Sequence, residues 1–168
     1  RHILDSGRSC AILLNKWDII EKDAKTFDAE VRSTYEKLVH LDFAPVISLS
    51  ALTGMRCERI FEVIKTVSSS YRLRVPTGPL NTAIEKWTQA HPPPSGPDGK
   101  RSRLYYATQA SVAPPHFVLF VSRLRRIPTV QYGRYIENRL REKFEFSGTP
   151  IRVSFRQRGK ELSGEKSR

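Results

Sequence analysis

The stretch CAILLNKWD at residues 10–18 decides the fold class, because it joins a short apolar run to a polar turn. Its first five residues are continuously apolar, which is typical of a strand buried on both faces in a parallel sheet. A second run, PVISL at residues 45–49, has the same character and leads into SALTG at residues 50–54. The two segments predict neighbouring strands, each ending in a polar loop.

An amphipathic helix is predicted after each strand. Apolar residues keep near-helical spacing over residues 27–41 and again over residues 60–71. Gly7 is placed to end an earlier helix, most of which we expect to lie upstream of this chain. The order strand, helix, strand, helix is half of a doubly wound α/β domain. Half a sheet leaves an edge and a face uncovered, so we expect another segment to complete it.

A stiff, turn-rich segment at residues 74–79 predicts a domain boundary. We expect a first domain over residues 1–75 and a second, α+β domain over residues 76–158. The second domain has the predicted order helix, strand, strand, helix, strand, with helices on one face of a small sheet. Residues 159–168 lack apolar periodicity and are predicted to be a basic, disordered tail.

Charge is spread unevenly over these two parts. The formal net charge is +12, and residues 1–75 hold 12 Lys/Arg against 10 Asp/Glu, whereas residues 76–168 hold 17 against 7. The second half therefore carries nearly all the excess, which favours a polyanionic partner such as RNA over a merely solvated surface. No apolar run approaches the roughly 20 residues of a membrane helix, so no membrane partner is expected.

The two polar loops carry the residue types that recognise guanine. A carboxylate such as Asp18 can accept from the N1–H and the amino group of guanine together, and adenine offers no such pair of donors. The Lys16 stem can cover a base, Asn15 can tie neighbouring loops together, and the Ala51 N–H can donate to guanine O6. Candidate guanine-binding residues, set against an ordinary strand-end turn as the alternative, are Asn15, Lys16, Asp18, Ser50, Ala51 and Leu52.

Arginines dominate the candidate RNA surface, because the guanidinium fork suits phosphate. Any single one of them fits a solvated role as well, and the cluster is what favours RNA. The candidates are Arg123, Arg125, Arg126, Arg134, Arg141, Arg156 and Arg158. Four tyrosines nearby can stack on bases, but we interpret them as core residues: Tyr105, Tyr106, Tyr132 and Tyr135.

These motifs together resemble the Der (EngA) family of ribosome-assembly GTPases over roughly residues 8–158. NKWD and SALTG are similar to the second G domain, and YATQ at residues 106–109, YIENRLR at 135–141 and GTPI at 148–151 are similar to the C-terminal KH-like domain. The resemblance implies a partial P-loop-GTPase-type sheet followed by that KH-like domain. It also implies that the candidate residues line the guanine end of a GTP or GDP site. No Gly-x-x-Gly loop is present, so ordinary KH clamping of RNA is not expected.

The resemblance further implies a role in large ribosomal subunit biogenesis. The expected partners are the large subunit or its rRNA and the missing upstream G-domain segments, and the expected location is the cytoplasm, at the ribosome. Mg²⁺ is expected only in the complete protein, and no catalytic or metal-binding residue is assigned here. The alternative is a stand-alone RNA- or ribosome-binding adaptor with no nucleotide function.

We predict that purified residues 1–168 release no phosphate from GTP above background. The chain has neither G-x-x-x-x-G-K-[ST] nor a strand-end Asp-x-x-Gly, so it lacks a phosphate cradle and a route to Mg²⁺. Although the chain resembles a family of GTP hydrolases, the chain alone should be inactive. Turnover comparable to that of an intact GTPase would contradict this expectation.

Overall fold

The computed structural model of the protein describes residues 2–21, 25–96 and 99–158, so the predicted tail at residues 159–168 lies outside the described residues. The contacts divide the chain into two compact units. Unit 1 comprises Arg1–Arg74, Ser111–Pro115 and Leu140–Ile151, and unit 2 comprises Val75–Ala110, His116–Arg139 and Arg152–Arg168. The predicted domain limits after residues 75 and 158 stay predictions.

Unit 1 alternates helices with two short strands. Its elements are α1 (His2–Ser6), β1 (Ile12–Leu14), α2 (Thr26–Lys37), β2 (Val46–Ser48) and α3 (Arg59–Tyr71). β1 and β2 are parallel, with Ile12 opposite Val46 and Leu14 opposite Ser48. This parallel pair with its connecting helix confirms the α/β class predicted for the first half of the chain. The helix predicted over 27–41 ends earlier, because Leu38 leaves the helical conformation.

The prediction that the first strand is buried on both faces is wrong for β1. Leu13 is 44% exposed, while Ile12 and Leu14 are half-buried. The sheet of unit 1 has two strands, and among the described residues no further element covers the Leu13 side. On α3, Phe61 is 76% exposed and Ile64 is also exposed. Unit 1 therefore presents the uncovered apolar surface expected of half a sheet.

The turn that follows the last helix of the chain belongs to unit 1 and fills part of its core. Leu140 and Phe146 are fully buried. Gly148 has a φ of 64°, its carbonyl accepts from the Cys10 N–H at 2.8 Å, and its own N–H donates to the Phe43 carbonyl at 2.9 Å. These bonds fasten the turn to the chain just before β1 and to the loop before β2.

Unit 2 contains the three-stranded sheet and two longer helices. Its elements are α4 (Thr77–Ala90), β3 (Leu104–Ser111), β4 (His116–Val121), a 3₁₀ turn (Leu124–Arg126), α5 (Thr129–Phe144) and β5 (Arg152–Gln157). The last residues of β3 and α5 fall in unit 1. The strand order is β3-β4-β5, and β5 runs parallel to β4. The observed element order is the predicted one.

The core of unit 2 lies on one face of this sheet. Phe117, Leu119 and Val121 alternate along β4 and are fully buried, as are Leu80 on α4 and Ile136 on α5. These three residues share one face of β4 by the period-two geometry of a strand, and Val118 on the other face is also buried. No helix among the described residues is long and apolar enough to cross a membrane.

We predict that Gly148→Ala destabilises the chain by about 2 kcal/mol or more. An alanine Cβ at this position would lie 2.5 Å from Val67 Cγ2 and 2.6 Å from the Cys10 carbonyl oxygen. The positive φ adds roughly 1 kcal/mol for any L residue with a Cβ. Urea denaturation followed by circular dichroism measures the change in the free energy of unfolding.

Two other glycines separate steric overlap from backbone strain. Gly54 also has a positive φ but no atom within 4 Å of its added Cβ, and Gly78 lies in α4 with the same open space. We expect Gly54→Ala to cost about 1 kcal/mol and Gly78→Ala to be neutral or slightly stabilising. Equal effects at Gly148 and Gly54 would show that close packing around Gly148 contributes nothing.

Candidate functional site

Two loops follow the carboxyl ends of β1 and β2, where open α/β sheets bind their ligands. Because the strands are parallel and in register, the loops start side by side. The Trp17 N–H donates to the Leu49 carbonyl at 3.0 Å, and the Leu49 N–H donates to the Leu14 carbonyl at 3.0 Å. Backbone bonds therefore carry the pairing of the strands beyond β1 and β2 into the loops.

The Asn15 side chain joins the two loops. Its Oδ1 accepts from the Lys16 N–H at 2.7 Å and from the Ala51 N–H at 3.0 Å. This is the tie between neighbouring loops that the sequence predicts for Asn15. The bond also engages the Ala51 N–H that was expected to donate to guanine O6. Donation to a base would require that N–H to exchange partners.

Lys16 holds a backbone conformation that is uncommon for a residue with a side chain. Its φ is 62°, which costs roughly 1 kcal/mol. The preceding Asn15 side chain bonds the Lys16 N–H and so holds the turn in place. Trp17, the next residue, is buried and meets the ring of Phe27 edge-on at 5.9 Å between centroids. Burial of Trp17 anchors the loop while Asn15 and Lys16 stay exposed.

Asp18 is half-buried, and one of its carboxylate oxygens, Oδ1, is shielded from solvent. A carboxylate that reads guanine with both oxygens needs both of them at the base edge. The Asp18 end of the loop must therefore adjust before both oxygens can meet a base. Its guanine-reading role stays a prediction.

Ser50 is fully buried and shapes the second loop. Its Oγ accepts from the Thr53 N–H at 3.2 Å, and its own N–H donates to the Met55 carbonyl at 3.0 Å. Leu52, at the tip of the loop, is 91% exposed. Contact of either residue with a base remains a prediction. Among the described residues, no group of His, Cys, Asp or Glu side chains could hold a metal ion.

Six of the seven candidate RNA-binding arginines lie in unit 2. Arg126 is half-buried, and the other five are exposed: Arg123, Arg125, Arg134, Arg156 and Arg158. The Leu124 N–H donates to Gln157 Oε1 at 3.4 Å, so the arginine-bearing 3₁₀ turn lies beside the end of β5. Arg158 follows β5, and its N–H donates to the Val121 carbonyl at 2.9 Å. The structure thus brings the turn and the end of β5 together. We call this the basic cluster, and it comprises Arg123, Arg125, Arg126, Arg156 and Arg158.

Positive charge on β5 also acts on a neighbouring histidine. His116 pairs across from Arg152 on β5, and its Nε2 lies 2.8 Å from Ser154 Oγ. Burial lowers the pKa of His116, and the nearby charges of Arg152 and Arg156 lower it further. The same charges that disfavour an imidazolium favour an anion at this strand.

Arg141 is the candidate that the structure places elsewhere. It belongs to unit 1, where its Nη1 donates to the Phe146 carbonyl at 2.6 Å and to the Thr149 carbonyl at 2.9 Å. Its guanidinium also lies over the Phe43 ring, 5.0 Å from the centroid. These contacts engage the half-buried Arg141 side chain within the protein itself. We therefore leave Arg141 out of the basic cluster.

The interpretation of the four tyrosines as core residues holds for part of the set. Tyr132 is buried and its hydroxyl donates to the His91 carbonyl at 3.0 Å, whereas Tyr105 and Tyr106 are exposed. Adjacent residues of a strand point to opposite faces, so both tyrosines could not enter one core. Sequence reasoning also missed Arg103, whose guanidinium lies over the Tyr105 ring. The basic and aromatic alternation of RSRLYY at residues 101–106 was the available signal.

Comparison with known proteins gives matches for the second half of the chain and for nearly its whole length. Residues 74–156 match a family model described as the KH-domain-like region of EngA bacterial GTPase enzymes, C-terminal. An Aquifex aeolicus Era structure bound to GDP·AlF4− covers 92% of this chain and 57% of its own, at 16% identity and a TM-score of 0.33. That structural similarity is too low to support an argument.

Curated relatives carrying the name GTPase Der match nearly the whole chain. The relative from Alkaliphilus metalliredigens is 42% identical over 154 residues, covering 92% of this chain and 34% of the relative. The relative from Acetivibrio thermocellus is 44% identical over 157 residues, covering 94% and 35%. The chain thus spans about a third of the length of these relatives. By both matches, it belongs to the Der (EngA) family of GTPases and corresponds to their C-terminal part.

Proposed function

We propose that this chain forms the guanine-recognising part of a GTP-binding protein that acts in assembly of the large ribosomal subunit. The observation that carries the proposal is the Asn15 bridge, which fixes the loops after β1 and β2 against each other. A base held between two such loops meets Lys16 and Asp18 from one and Ala51 from the other. Two adjacent loops reading opposite edges of one base distinguish guanine from adenine.

The chain supplies only the base end of the proposed nucleotide site. Residues that would hold guanine are Asn15, Lys16, Asp18, Ser50, Ala51 and Leu52. In the longer protein, upstream segments would hold the phosphates and Mg²⁺. The exposed Leu13, Phe61 and Ile64 of unit 1 support such an arrangement, because a segment covering them would bury apolar surface now open to water.

Unit 2 is proposed to contact ribosomal RNA in the cytoplasm. Residues 76–168 carry 17 Lys/Arg against 7 Asp/Glu, and the basic cluster of the 3₁₀ turn and the end of β5 is exposed in unit 2. Arginine on a structured turn loses less freedom on binding phosphate than arginine on a mobile tail. RNA phosphates are the partner that this charge and geometry fit.

One observation favours a second candidate, an RNA- or ribosome-binding adaptor with no nucleotide function. The Ala51 N–H already donates to Asn15 Oδ1, so the loop pair satisfies its own hydrogen bonds without a base. In that case Asn15 would be a purely structural bridge. Nucleotide competition with an Asp18 variant separates the two candidates.

We predict that Asp18→Asn shifts base preference from guanine toward xanthine. An amide can donate to a carbonyl where the carboxylate only accepts, and the loss of a charge-assisted bond amounts to about 1.5–3 kcal/mol, or at least about tenfold in affinity. The variant is tested in a fusion of this chain to the upstream two thirds of the Alkaliphilus relative. Competition between GTP and XTP for binding gives the preference.

The matched control is Asp42→Asn, an exposed carboxylate in the loop before β2, at the strand ends opposite both candidate loops. It removes the same charge from the same unit and should leave the GTP to XTP ratio unchanged. An Asp18 variant that keeps the parent ratio would remove Asp18 from base recognition and favour the adaptor.

We also predict that replacing Arg123, Arg125 and Arg126 together with alanine flattens the salt dependence of RNA binding. Each phosphate contact contributes a slope of roughly −0.7 in log K against log salt on a single strand, so three contacts amount to about −2. The measurement is a salt titration of the full chain with a fluorescein-labelled fragment of large-subunit RNA. Because phosphates carry no sequence information, binding to other RNA sequences should weaken alike.

The control replaces three arginines of unit 1, Arg32, Arg59 and Arg72, all of which are exposed. It changes the net charge equally and should leave the slope close to that of the parent chain. If the unmodified chain itself shows a slope near zero, its basic surface does not bind RNA phosphates and a ribosome contact would have to be protein to protein.

A further inference from the structure

The edge of the unit 2 sheet carries a groove next to the basic cluster, whose Arg158 lies over the groove-lining Tyr105. β3 is an outer strand, and a cavity of about 540 Å³ lies between the chain entering it and α4. Polar side chains of α4 line one side, and the basic and aromatic residues leading into β3 line the other. They include Glu85, Thr88, Gln89, Arg101, Arg103 and Tyr105.

Two guanidinium groups converge on a single ring in this groove. The Arg103 guanidinium carbon lies 5.7 Å from the centroid of Tyr105, and that of Arg158 lies 5.3 Å from it. The two cations are thus within about 11 Å of each other, held by attraction to the same ring. Tyr105 remains 42% exposed, so a ligand can reach both the ring and the cations.

A pair of serines fixes the backbone that carries these cations. The Arg103 N–H donates to Ser122 Oγ at 2.9 Å, and the Ser122 N–H donates to the Arg103 carbonyl at 2.8 Å. Ser102, which is buried, accepts from the Arg123 N–H at 3.1 Å. Arg103 is therefore presented on an ordered backbone, which lowers the entropy lost when it binds an anion.

On the outer edge of β3, the peptide groups of Ala107 are already hydrogen-bonded to a side chain. The Asn81 side chain accepts from the Ala107 N–H at 2.7 Å and donates to the Ala107 carbonyl at 3.0 Å. Because Asn81 occupies the edge at Ala107, an added peptide strand could not pair along β3. A ligand held by the side chains of the groove needs no such pairing and still fits.

We propose that this groove binds a single strand of RNA, with phosphates at Arg101, Arg103 and Arg158 and one unpaired base at Tyr105. The base stacks on the tyrosine or on a guanidinium plane. The site deepens the RNA contact proposed above and rests on it. An acidic peptide shares the charge, but the closed edge at Ala107 denies it the strand pairing that would hold it.

The test uses the full chain and a fluorescein-labelled 12-nucleotide oligouridylate in a salt titration. Arg101→Ala combined with Arg103→Ala should make the negative slope of log K against log salt shallower by about 1.4, because two phosphate contacts are lost. Binding should weaken about fivefold at 0.1 M salt. Tyr105→Leu should weaken binding at least about fivefold, and Tyr105→Phe, which keeps the ring, should stay within about twofold of the parent. Circular dichroism of each variant verifies the fold.

Arg32→Ala combined with Arg72→Ala, two exposed arginines of unit 1, is the charge-matched control and should bind like the parent. If the parent binds oligouridylate and the Arg101/Arg103 variant matches it in affinity and slope, the groove site is wrong while the basic cluster still stands. A parent that binds no RNA overturns both. If a labelled oligoglutamate peptide, and not RNA, loses affinity in that variant, the groove takes acidic protein instead.

Discussion

Much of unit 1 depends on the close approach of Gly148 to the chain at Cys10. The two backbone bonds of Gly148, to Cys10 and to Phe43, reach the chain just before each of the two strands. A Cβ in this position would overlap both the Cys10 carbonyl and Val67. A two-stranded sheet is marginal on its own, so this turn supplies contacts that the three-residue strands cannot. Arg141 holds the turn in shape by bonding two of its carbonyls.

The candidate guanine loops lie at the opposite ends of the same strands. Their relative position follows from the β1–β2 register, extended by the bonds between Trp17, Leu49 and Leu14. Within that frame, Asn15 bridges the loops and Lys16 accepts a left-handed backbone. Strain at a loop that is otherwise tightly bonded is a common feature of ligand sites. The fold thus holds the two loops against each other, and the base-facing roles of Asp18 and Ala51 stay predictions.

Unit 2 arranges charge by a different means. Its sheet buries one face in an apolar core, while the polar serine pair Ser102 and Ser122 ties the chain before β3 to the chain after β4. Arginines far apart in sequence consequently meet at the strand ends. A net positive surface of this kind steers polyanions toward it at a rate that falls with salt. Specific recognition would come from the exposed tyrosine at the sheet edge, where charge alone discriminates little.

Local sequence patterns were enough to predict the element order, the α/β character of the first half and the pairing of two polar loops at strand ends. Those features follow from local periodicity and from the regular geometry of parallel strands. It also indicated Asn15 as the tie between the loops. The exposure of Leu13, the structural role of Arg141 and the meeting of Arg103 with Arg158 at Tyr105 were decided only by the tertiary structure. Each depends on contacts between residues distant in the chain, which no local pattern encodes: a guanidinium can donate to a phosphate or to a backbone carbonyl, and the fold determines which one it reaches.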